Sequence, residues 1–241
     1  MASGLSKQPE LSLVVPVCNE ATAIEPFLDT VARDLRSVTS YEVIFVDDGS
    51  TDATAVAVFA ARETRSEPIE LLRLSRNFGK EAATTAGLDY ARGQAVVPID
   101  VDLQDPPELI DAMVARWRAG DDVVLAVRAA RPEDPVAKRL SARVFYRLAG
   151  RISDTAIPQN AGDFRLMDAR VVRVVRQLRE RNRFMKGLLS WPGFQVGNVQ
   201  YTRPARAHGT SKWRPRKLLN FALDGIFSFS TVPLRIWTYL G

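Results

Sequence analysis

Short apolar runs alternate with helix-forming segments through the first half of the chain, and this alternation limits the chain to few folds. Apolar runs predict strands at residues 11–17, 41–46, 69–74, 96–99 and 122–127. Apolar spacing and composition predict helices between them at residues 21–36, 53–64, 81–91 and 109–119. Strands that alternate with helices of this length form βαβ units. The sequence therefore predicts an α/β fold, with a mostly parallel sheet that is flanked by helices.

The second half of the chain is less regular, although it also carries elements of both kinds. Residues 137–152 predict a basic amphipathic helix, and residues 161–166 predict a loop that enters a strand. Residues 169–179 predict a helix, and residues 194–201 alternate as a strand. At the start of the second helix, Thr51 and Asp52 are residue types that favour the N-cap.

Acidic side chains follow the fourth predicted strand in the stretch VVPIDVDLQDPPE, at residues 96–108. Residues two apart on a strand point to one face, so we expect Asp100 and Asp102 to share a face. Such carboxylates repel each other unless a cation lies between them. Oxygen ligands without His or Cys favour Mg²⁺ or Mn²⁺, which complete their coordination on substrate phosphates. The stretch predicts a metal–diphosphate site that includes Gln104, against the alternative of a solvated acidic loop, and Asp105 is interpreted as a charge at a helix N-terminus.

Polar residues also follow the other strands, and ligands of open α/β sheets bind at these carboxyl ends. These residues are Asn19, Glu20, Asp47, Asp48, Arg76 to Lys80, and Arg128. The glycine-rich fingerprint of dinucleotide-binding domains is absent after the first strand, which reads VCNE. The phosphate-binding motif G-x-x-x-x-G-K-[ST] is also absent from the sequence, so a nicotinamide cofactor and a P-loop nucleotidase are both disfavoured.

The chain of 241 residues has a net charge of +5, and a late stretch carries an excess of basic residues with no acidic residue among them. That stretch contains Arg203, Arg206, Lys212, Arg214, Arg216 and Lys217. Such a patch suits diphosphates or anionic lipid, and no nucleic-acid motif accompanies it, so nucleic acid is not predicted as a partner. One histidine, His208, excludes His-based triads and zinc sites, and a single cysteine, Cys18, fits a reducing compartment.

Seven stretches in order along the chain carry a family resemblance: VVPVCNE, FVDDGSTD, LSRNFGKEAATTAGLDYA, DVDLQDPPE, GDFRLMD, NRFMKGLLSW and HGTSKW. They resemble family-two glycosyltransferases of the GT-A fold, and most closely the bacterial polyprenyl-phosphate (bactoprenol) glucosyltransferases, which are related to dolichyl-phosphate mannose synthase. The resemblance covers nearly the whole chain. One departure is Cys18, where this group usually has tyrosine.

The resemblance implies inverting transfer of a hexose from UDP-glucose to polyprenyl or undecaprenyl phosphate, with Mg²⁺ or Mn²⁺ as cofactor. It implies nucleotide-sugar contacts by Pro16, Cys18, Glu20, Asp47, Asp100, Val101, Asp102, Gln104, Lys186, Arg206 and Lys212. The implied metal ligands are Asp100, Asp102 and Gln104, with Asp102 also counted as catalytic. By the same resemblance, Asp47 is expected to read the base, and Arg206 and Lys212 are expected to bind the leaving diphosphate. The alternative for Asp48 is a role in a turn and a helix N-cap alone.

The resemblance also implies residues for the acceptor and for catalysis. Arg128, Arg139 and Arg143 are candidates for the acceptor phosphate, with a solvated surface as the alternative for the two that lie on the basic helix. Asp163 is the candidate catalytic base, but a phosphate monoester with a second pKa of about 6 is already largely ionised near neutral pH. Asp163 as base or as positioning residue is therefore left open. An Asp at this place favours the glucosyl and aminoarabinose branches over the dolichyl-phosphate mannose branch.

The carboxyl end at residues 218–241 is largely apolar and aromatic, with Asp224 and Arg235 as its charges. We predict a GT-A domain at residues 1–213 and an amphipathic segment at residues 214–241 on the cytoplasmic face of the cell membrane. The resemblance implies membrane spans after this point. Alternatives left open are GDP-mannose or UDP-aminoarabinose as donor, and a non-catalytic sugar-nucleotide-binding module. The lipid length and a homo-oligomeric state are also open.

Overall fold

The computed structural model describes residues 8–128, 161–178 and 193–201, and seven strands within these ranges form one sheet. They are β1 (Leu11–Val17), β2 (Tyr41–Asp47), β3 (Ile69–Arg73), β4 (Ala95–Pro98), β5 (Val123–Arg128), β6 (Ala161–Asp168) and β7 (Val196–Tyr201). The order across the sheet is β3-β2-β1-β4-β6-β5-β7. Strand β6 runs antiparallel to β4 and β5, while the other paired strands are parallel. The predicted mostly parallel sheet is confirmed.

Five α-helices flank the sheet in the same part of the chain. They are α1 (Ile24–Asp34), α2 (Thr54–Thr64), α3 (Lys80–Tyr90), α4 (Leu109–Arg118) and α5 (Ala169–Gln177). None of the helices in the described ranges is long and apolar enough to cross a membrane.

Strand β1 lies in the interior of the sheet between β2 and β4, and nearly all of its side chains are buried. On one face, Phe27 of α1 packs edge-on against Phe45 of β2, with ring centroids 6.0 Å apart. Helix α3 also packs closely on the sheet, because Gly87 lies against Val14 of β1. A Cβ atom at Gly87 would be 2.3 Å from Val14 Cγ1. This close packing fixes the start of α3 beside the carboxyl ends of the strands.

Three local predictions need correction. The segment at residues 21–36 is not one helix, because Ala21–Ala23 form a 3₁₀ turn before α1 begins. The N-cap of α2 is Ala53 rather than Thr51 or Asp52, although Asp52 Oδ1 accepts a hydrogen bond from the backbone N–H of Thr54, the first residue of α2, at 3.0 Å. The segment after residue 161 is a strand from its first residue, since it pairs between β4 and β5.

Several predictions concern parts of the chain outside the described residues. The basic helix at residues 137–152, the domain boundary at residue 213 and the membrane-surface segment at residues 214–241 all lie there. They remain predictions from the sequence.

Candidate active site

The carboxyl ends of β1 to β4 bring the predicted polar residues to one edge of the sheet. Val17 at the end of β1 is in register with Asp47 at the end of β2, and Asp47 is in register with Arg73 at the end of β3. Each strand then continues into a loop of polar residues. The strand register therefore places the polar residues that follow β1, β2 and β3 at neighbouring carboxyl ends, as the order of strands and polar residues in the sequence indicates.

The loop after β1 is fastened to the loop after β2 by Asn19. This residue has a positive φ of 58°, a conformation that asparagine tolerates better than most residues. Its Oδ1 accepts hydrogen bonds from the backbone N–H groups of Thr51 (2.8 Å) and Asp52 (3.3 Å), while its own N–H donates to Ser50 Oγ (2.9 Å). Cys18 lies beside Asn19 and is half-buried.

Asp47, predicted to read the nucleotide base, is completely buried at the end of β2. Its Oδ1 accepts from the Ser50 backbone N–H at 2.8 Å, and its Oδ2 accepts from Arg73 Nε at 3.2 Å. The Arg73 side chain is 59% exposed. A base could therefore reach Asp47 only if its neighbours moved, and Arg73 is the group that faces solvent. Arg73 is not among the site residues predicted from the sequence, although it lies one residue before the end of the third predicted strand, which is a usable signal.

Asp48 has a structural task in this protein. Its carboxylate is buried and accepts hydrogen bonds from the backbone N–H groups of Phe78 (2.7 Å) and Gly79 (2.9 Å) in the loop between β3 and α3. The side-chain amide N–H of Asn77, in the same loop, donates a hydrogen bond to Cys18 Sγ at 3.4 Å. The loop is thus held against the ends of β1 and β2, and Asp48 anchors this loop instead of capping a helix.

Asp100 and Asp102 lie in a turn after β4, so the prediction that they share one face of a strand is wrong. Strand β4 ends at Pro98, and the backbone turns through Leu103, which has a φ of 55°. Val101 between the two acidic residues is buried and anchors the turn in the core. The carboxylates still lie close along the chain, at the edge of the sheet where the other site residues meet.

The two carboxylates have different partners. Lys80 Nζ donates to Asp100 Oδ2 at 2.7 Å, while Asp102 Oδ1 accepts from the backbone N–H of Gln104 at 3.0 Å. Asp102 is exposed, and Asp100 has 37% of its side-chain surface exposed. Asp105 is not at a helix terminus, because α4 begins at Leu109. Its Oδ1 instead accepts from the Tyr201 hydroxyl at 3.4 Å.

The donor atoms at this turn suit a hard divalent cation. Two carboxylates and one amide oxygen, from Asp100, Asp102 and Gln104, are the ligands that Mg²⁺ and Mn²⁺ prefer. Within the described ranges, no group of three or more His, Cys, Asp and Glu side chains is arranged to enclose a metal ion. A cation with so few protein ligands completes its coordination with water and phosphate oxygens. The residues present therefore fit a metal ion that binds together with a diphosphate.

Negative charge gathers around the same turn. Burial raises the pKa of the Glu20 carboxyl, and the nearby carboxylates of Asp102 and Asp52 raise it further. The backbone N–H of Glu20 donates to Thr54 Oγ1 at 2.9 Å, which fixes Glu20 beside the start of α2. The ends of β1 and β4 thus form a negative region that favours a bound cation.

We expect the Glu20→Gln variant to be more stable than the wild type at pH 7 in the absence of divalent metal. Because the pKa of Glu20 is raised on folding, its protonated form contributes to the free energy of unfolding below the unfolded-state pKa of about 4.3. This contribution is lost as the pH rises through the folded-state pKa. Glutamine removes the repulsion at neutral pH, so the melting temperature should rise by about 1–3 °C at pH 7 and should not rise at pH 3. Thermal unfolding at both pH values with a chelator measures this.

The matched control for this experiment is Glu63→Gln, which removes the same charge from an exposed glutamate on the last turn of α2. A rise in melting temperature that is equal for both variants, or equal at both pH values, would contradict the electrostatic account of Glu20.

Other predicted site residues are described only in part or not at all. Arg128 ends β5 and Asp163 belongs to β6, two strands that pair through Val127 and Ala161, but the side chains of Arg128 and Asp163 are outside the description. The remaining candidates lie beyond the described ranges entirely: Arg139, Arg143, Lys186, Arg206, His208 and Lys212.

Comparison with known proteins places this arrangement in a family. The sequence model of "Glycosyl transferase family 2" matches residues 12–176, which is more than half of the chain. A bactoprenol glucosyl transferase of Shigella phage SfV is 51% identical over 235 residues, covering 96% of this chain and 76% of the relative. A prophage bactoprenol glucosyl transferase homolog of Escherichia coli K12 is 50% identical over 235 residues, covering 96% of this chain and 76% of the relative.

Solved structures share the fold at lower sequence identity. A mannosyltransferase from Pyrobaculum calidifontis in complex with GDP-Man and Mn²⁺ has a TM-score of 0.58 and 22% identity, covering 84% of this chain and 59% of that one. Glucosyl-3-phosphoglycerate synthase from Mycobacterium tuberculosis, with Mn²⁺, UDP-glucose and glycerol 3-phosphate, has a TM-score of 0.54 and 20% identity, covering 89% of this chain and 76% of that one. The chain therefore belongs to glycosyl transferase family 2 and is a glycosyltransferase with the GT-A fold.

Proposed function

We propose that this enzyme transfers glucose from UDP-glucose to a polyprenyl phosphate such as undecaprenyl phosphate, with inversion at the anomeric carbon. The observation that carries the proposal is the turn after β4, where Asp100 and Asp102 lie at the same sheet edge as Asp47 and the loop that Asp48 anchors. The relatives that are about 50% identical are named bactoprenol glucosyl transferases, which supports this acceptor and this sugar.

The donor would bind along the carboxyl ends of β1 to β4. Contacts to the nucleoside are assigned to Pro16 and Asp47 at the carboxyl ends of β1 and β2, to Cys18 and Glu20 in the loop after β1, and to the buried turn residue Val101. Asp100, Asp102 and Gln104 would hold Mg²⁺ or Mn²⁺, which when bound neutralises negative charge on the diphosphate. Lys186, Arg206 and Lys212 are assigned to the same donor from the resemblance.

The reaction itself requires one bond to form and one to break. An oxygen of the acceptor phosphate attacks the anomeric carbon from the face opposite the diphosphate, and the bond to the diphosphate oxygen breaks with its electron pair. Fixed cations stabilise the charge that develops on the leaving UDP. Arg128, Arg139 and Arg143 are assigned to the acceptor phosphate, which is already largely ionised near neutral pH. Asp163 is therefore assigned to positioning the acceptor or the sugar rather than to proton removal.

The acceptor is a lipid, so we place the enzyme at the cytoplasmic face of the cell membrane. The sequence supports this through the basic residues Arg214, Arg216 and Lys217, which precede the apolar residues 218–241. Basic residues next to an apolar segment attract anionic headgroups and add about 1 kcal/mol each near the surface.

Deletion of residues 214–241 is expected to release the protein from anionic liposomes while UDP binding remains. The reason is that the segment joins three basic residues, Arg214, Arg216 and Lys217, to a largely apolar sequence, whereas the nucleotide contacts assigned to the ends of β1 to β4 lie elsewhere in the chain. Co-sedimentation with anionic and with zwitterionic vesicles measures the binding, and titration with UDP serves as the control. Unchanged co-sedimentation of the deletion variant would contradict the membrane assignment.

A donor panel tests the choice of sugar nucleotide. The protein is incubated with polyprenyl phosphate, Mn²⁺ and one of UDP-glucose, UDP-aminoarabinose or GDP-mannose, and release of UDP or GDP is measured. Acceptor-dependent release from UDP-glucose is the expected result. Faster release of GDP from GDP-mannose, or of UDP from UDP-aminoarabinose, would contradict the assignment of UDP-glucose as the donor.

A further inference from the structure

Lys80 forms an ion pair with Asp100 that has a consequence for metal binding. Lys80 Nζ lies 2.7 Å from Asp100 Oδ2, and the pair joins the first residue of α3 to the turn after β4. We propose that Lys80 is an internal counter-ion of Asp100, which a divalent cation must displace, so that Lys80 lowers the metal affinity of the nucleotide-free enzyme. This inference rests on the proposed metal site at Asp100, Asp102 and Gln104.

The position of Lys80 on its helix supports this role. Lysine is unfavourable at the first residue of a helix, because the N-terminal end of the helix dipole is positive. The N-cap before it is Gly79, which offers no side chain to the helix. Helix formation therefore does not explain a lysine here, whereas the Asp100 carboxylate does. Local conflicts of this kind in natural proteins are often found at functional sites.

The geometry implies direct competition. An ammonium group at 2.7 Å from Asp100 Oδ2 occupies one of the positions from which a cation would bind that oxygen. A divalent cation in the same place would repel the ammonium, so that the two cannot share the oxygen. Lys80 and Asp100 keep 47% and 37% of their side-chain surfaces exposed, so water can separate the pair readily. An exposed pair of this kind is weak, and its loss should change metal affinity by about two- to fivefold.

The pair would also couple metal binding to nucleotide binding. In the nucleotide-free enzyme, Lys80 compensates one carboxylate of a region where burial, and then the carboxylates of Asp102 and Asp52, raise the pKa of the Glu20 carboxyl. A diphosphate adds ligands for the cation and shifts the competition in favour of the metal. Because coupling between two ligands is reciprocal, the metal should then strengthen nucleotide binding by the same factor.

The proposal is tested by titrating the nucleotide-free protein with Mn²⁺ and measuring the concentration of free Mn²⁺ by electron paramagnetic resonance. Lys80→Met is expected to bind Mn²⁺ about two- to fivefold more tightly than the wild type. The matched control is Arg62→Met, which removes one positive charge from an ion pair with Glu70. Glu70 lies near the amino end of β3, away from the carboxyl ends of the strands. This control should bind Mn²⁺ as the wild type does, and circular dichroism with thermal unfolding verifies that each variant is folded.

A double-mutant cycle assigns the effect to the pair. In an Asp100→Asn background, Lys80→Met should no longer tighten Mn²⁺ binding, since its partner is absent. Equal or weaker Mn²⁺ binding by Lys80→Met in the otherwise wild-type protein would overturn the proposal while leaving the metal site in place. Failure of every variant to bind Mn²⁺, with or without UDP, would overturn the proposed metal site and this inference together.

Discussion

Replacing Asp102 with alanine is expected to reduce glycosyl transfer by about 10²–10³-fold or more and to remove the effect of Mn²⁺ on UDP binding. Asp102 presents an exposed carboxylate from a turn that the buried Val101 fixes in place. Its loss leaves the leaving diphosphate without the charge stabilisation that the cation supplies, and loss of one such group typically has an effect of this size. Initial rates and UDP titrations with Mn²⁺ or a chelator measure both results.

Asp105→Ala is the matched control for this prediction. Asp105 lies three residues further along the same loop, and its carboxylate accepts a long hydrogen bond from Tyr201. It should lose little activity, because it is not one of the assigned metal ligands. If the wild type bound UDP with the same affinity in Mn²⁺, in Mg²⁺ and in chelator, the assignment of Asp102 as a metal ligand would be wrong.

Gly49→Ala is expected to lower the free energy of unfolding by about 2–5 kcal/mol and to weaken UDP binding. Gly49 has a φ of 71°, which alanine adopts at a cost of about 1–2 kcal/mol. A Cβ atom there would also lie 2.6 Å from the carbonyl carbon of Arg76 and from the backbone nitrogen of Asn77. Backbone atoms cannot turn aside as a flexible side chain can, so overpacking adds about 1–3 kcal/mol. The loop that Asp48 anchors would be displaced from the site.

Gly193→Ala separates the two contributions. Gly193 has the same φ of 71°, but no atom of the residues that the structure describes lies within 4 Å of the position that its Cβ would take. It should show the backbone cost alone, and UDP binding should be retained. Urea unfolding of both variants measures the difference, and equal losses of stability would show that the contact with the loop between β3 and α3 contributes nothing.

The parallel part of the sheet could be predicted from the sequence because its strands are short apolar runs. Strand β1 is observed at the predicted residues, and β2 differs only by the addition of Asp47. Strand β6 was less visible, since it begins with AGD and carries a charged residue, Arg165, that is 4% exposed. Its antiparallel course between β4 and β5 depends on pairing with strands that are distant along the chain.

The candidate site, like the sheet, could be predicted from the sequence only in part. The types and order of the polar residues after the strands predicted Asp100, Asp102 and Asp47 as site candidates. The ion pair of Lys80 with Asp100 could not be predicted, because it depends on how closely α3 packs against β1 at Gly87. The burial of Asp47 beneath its contact with Arg73 likewise follows from the register of β2 and β3, which no local pattern encodes.

The product formed from UDP-glucose and undecaprenyl phosphate tests the central claim most directly. The product is extracted with solvent after incubation with the full chain and Mn²⁺, and the linkage is determined by nuclear magnetic resonance. The expected product is undecaprenyl phosphate that carries one glucose in the β configuration, opposite to the α configuration of the donor, and Asp102→Ala should form it at least about 10²-fold more slowly. A product in the α configuration would contradict the inverting mechanism, and the absence of any lipid-linked glucose would contradict the proposed function.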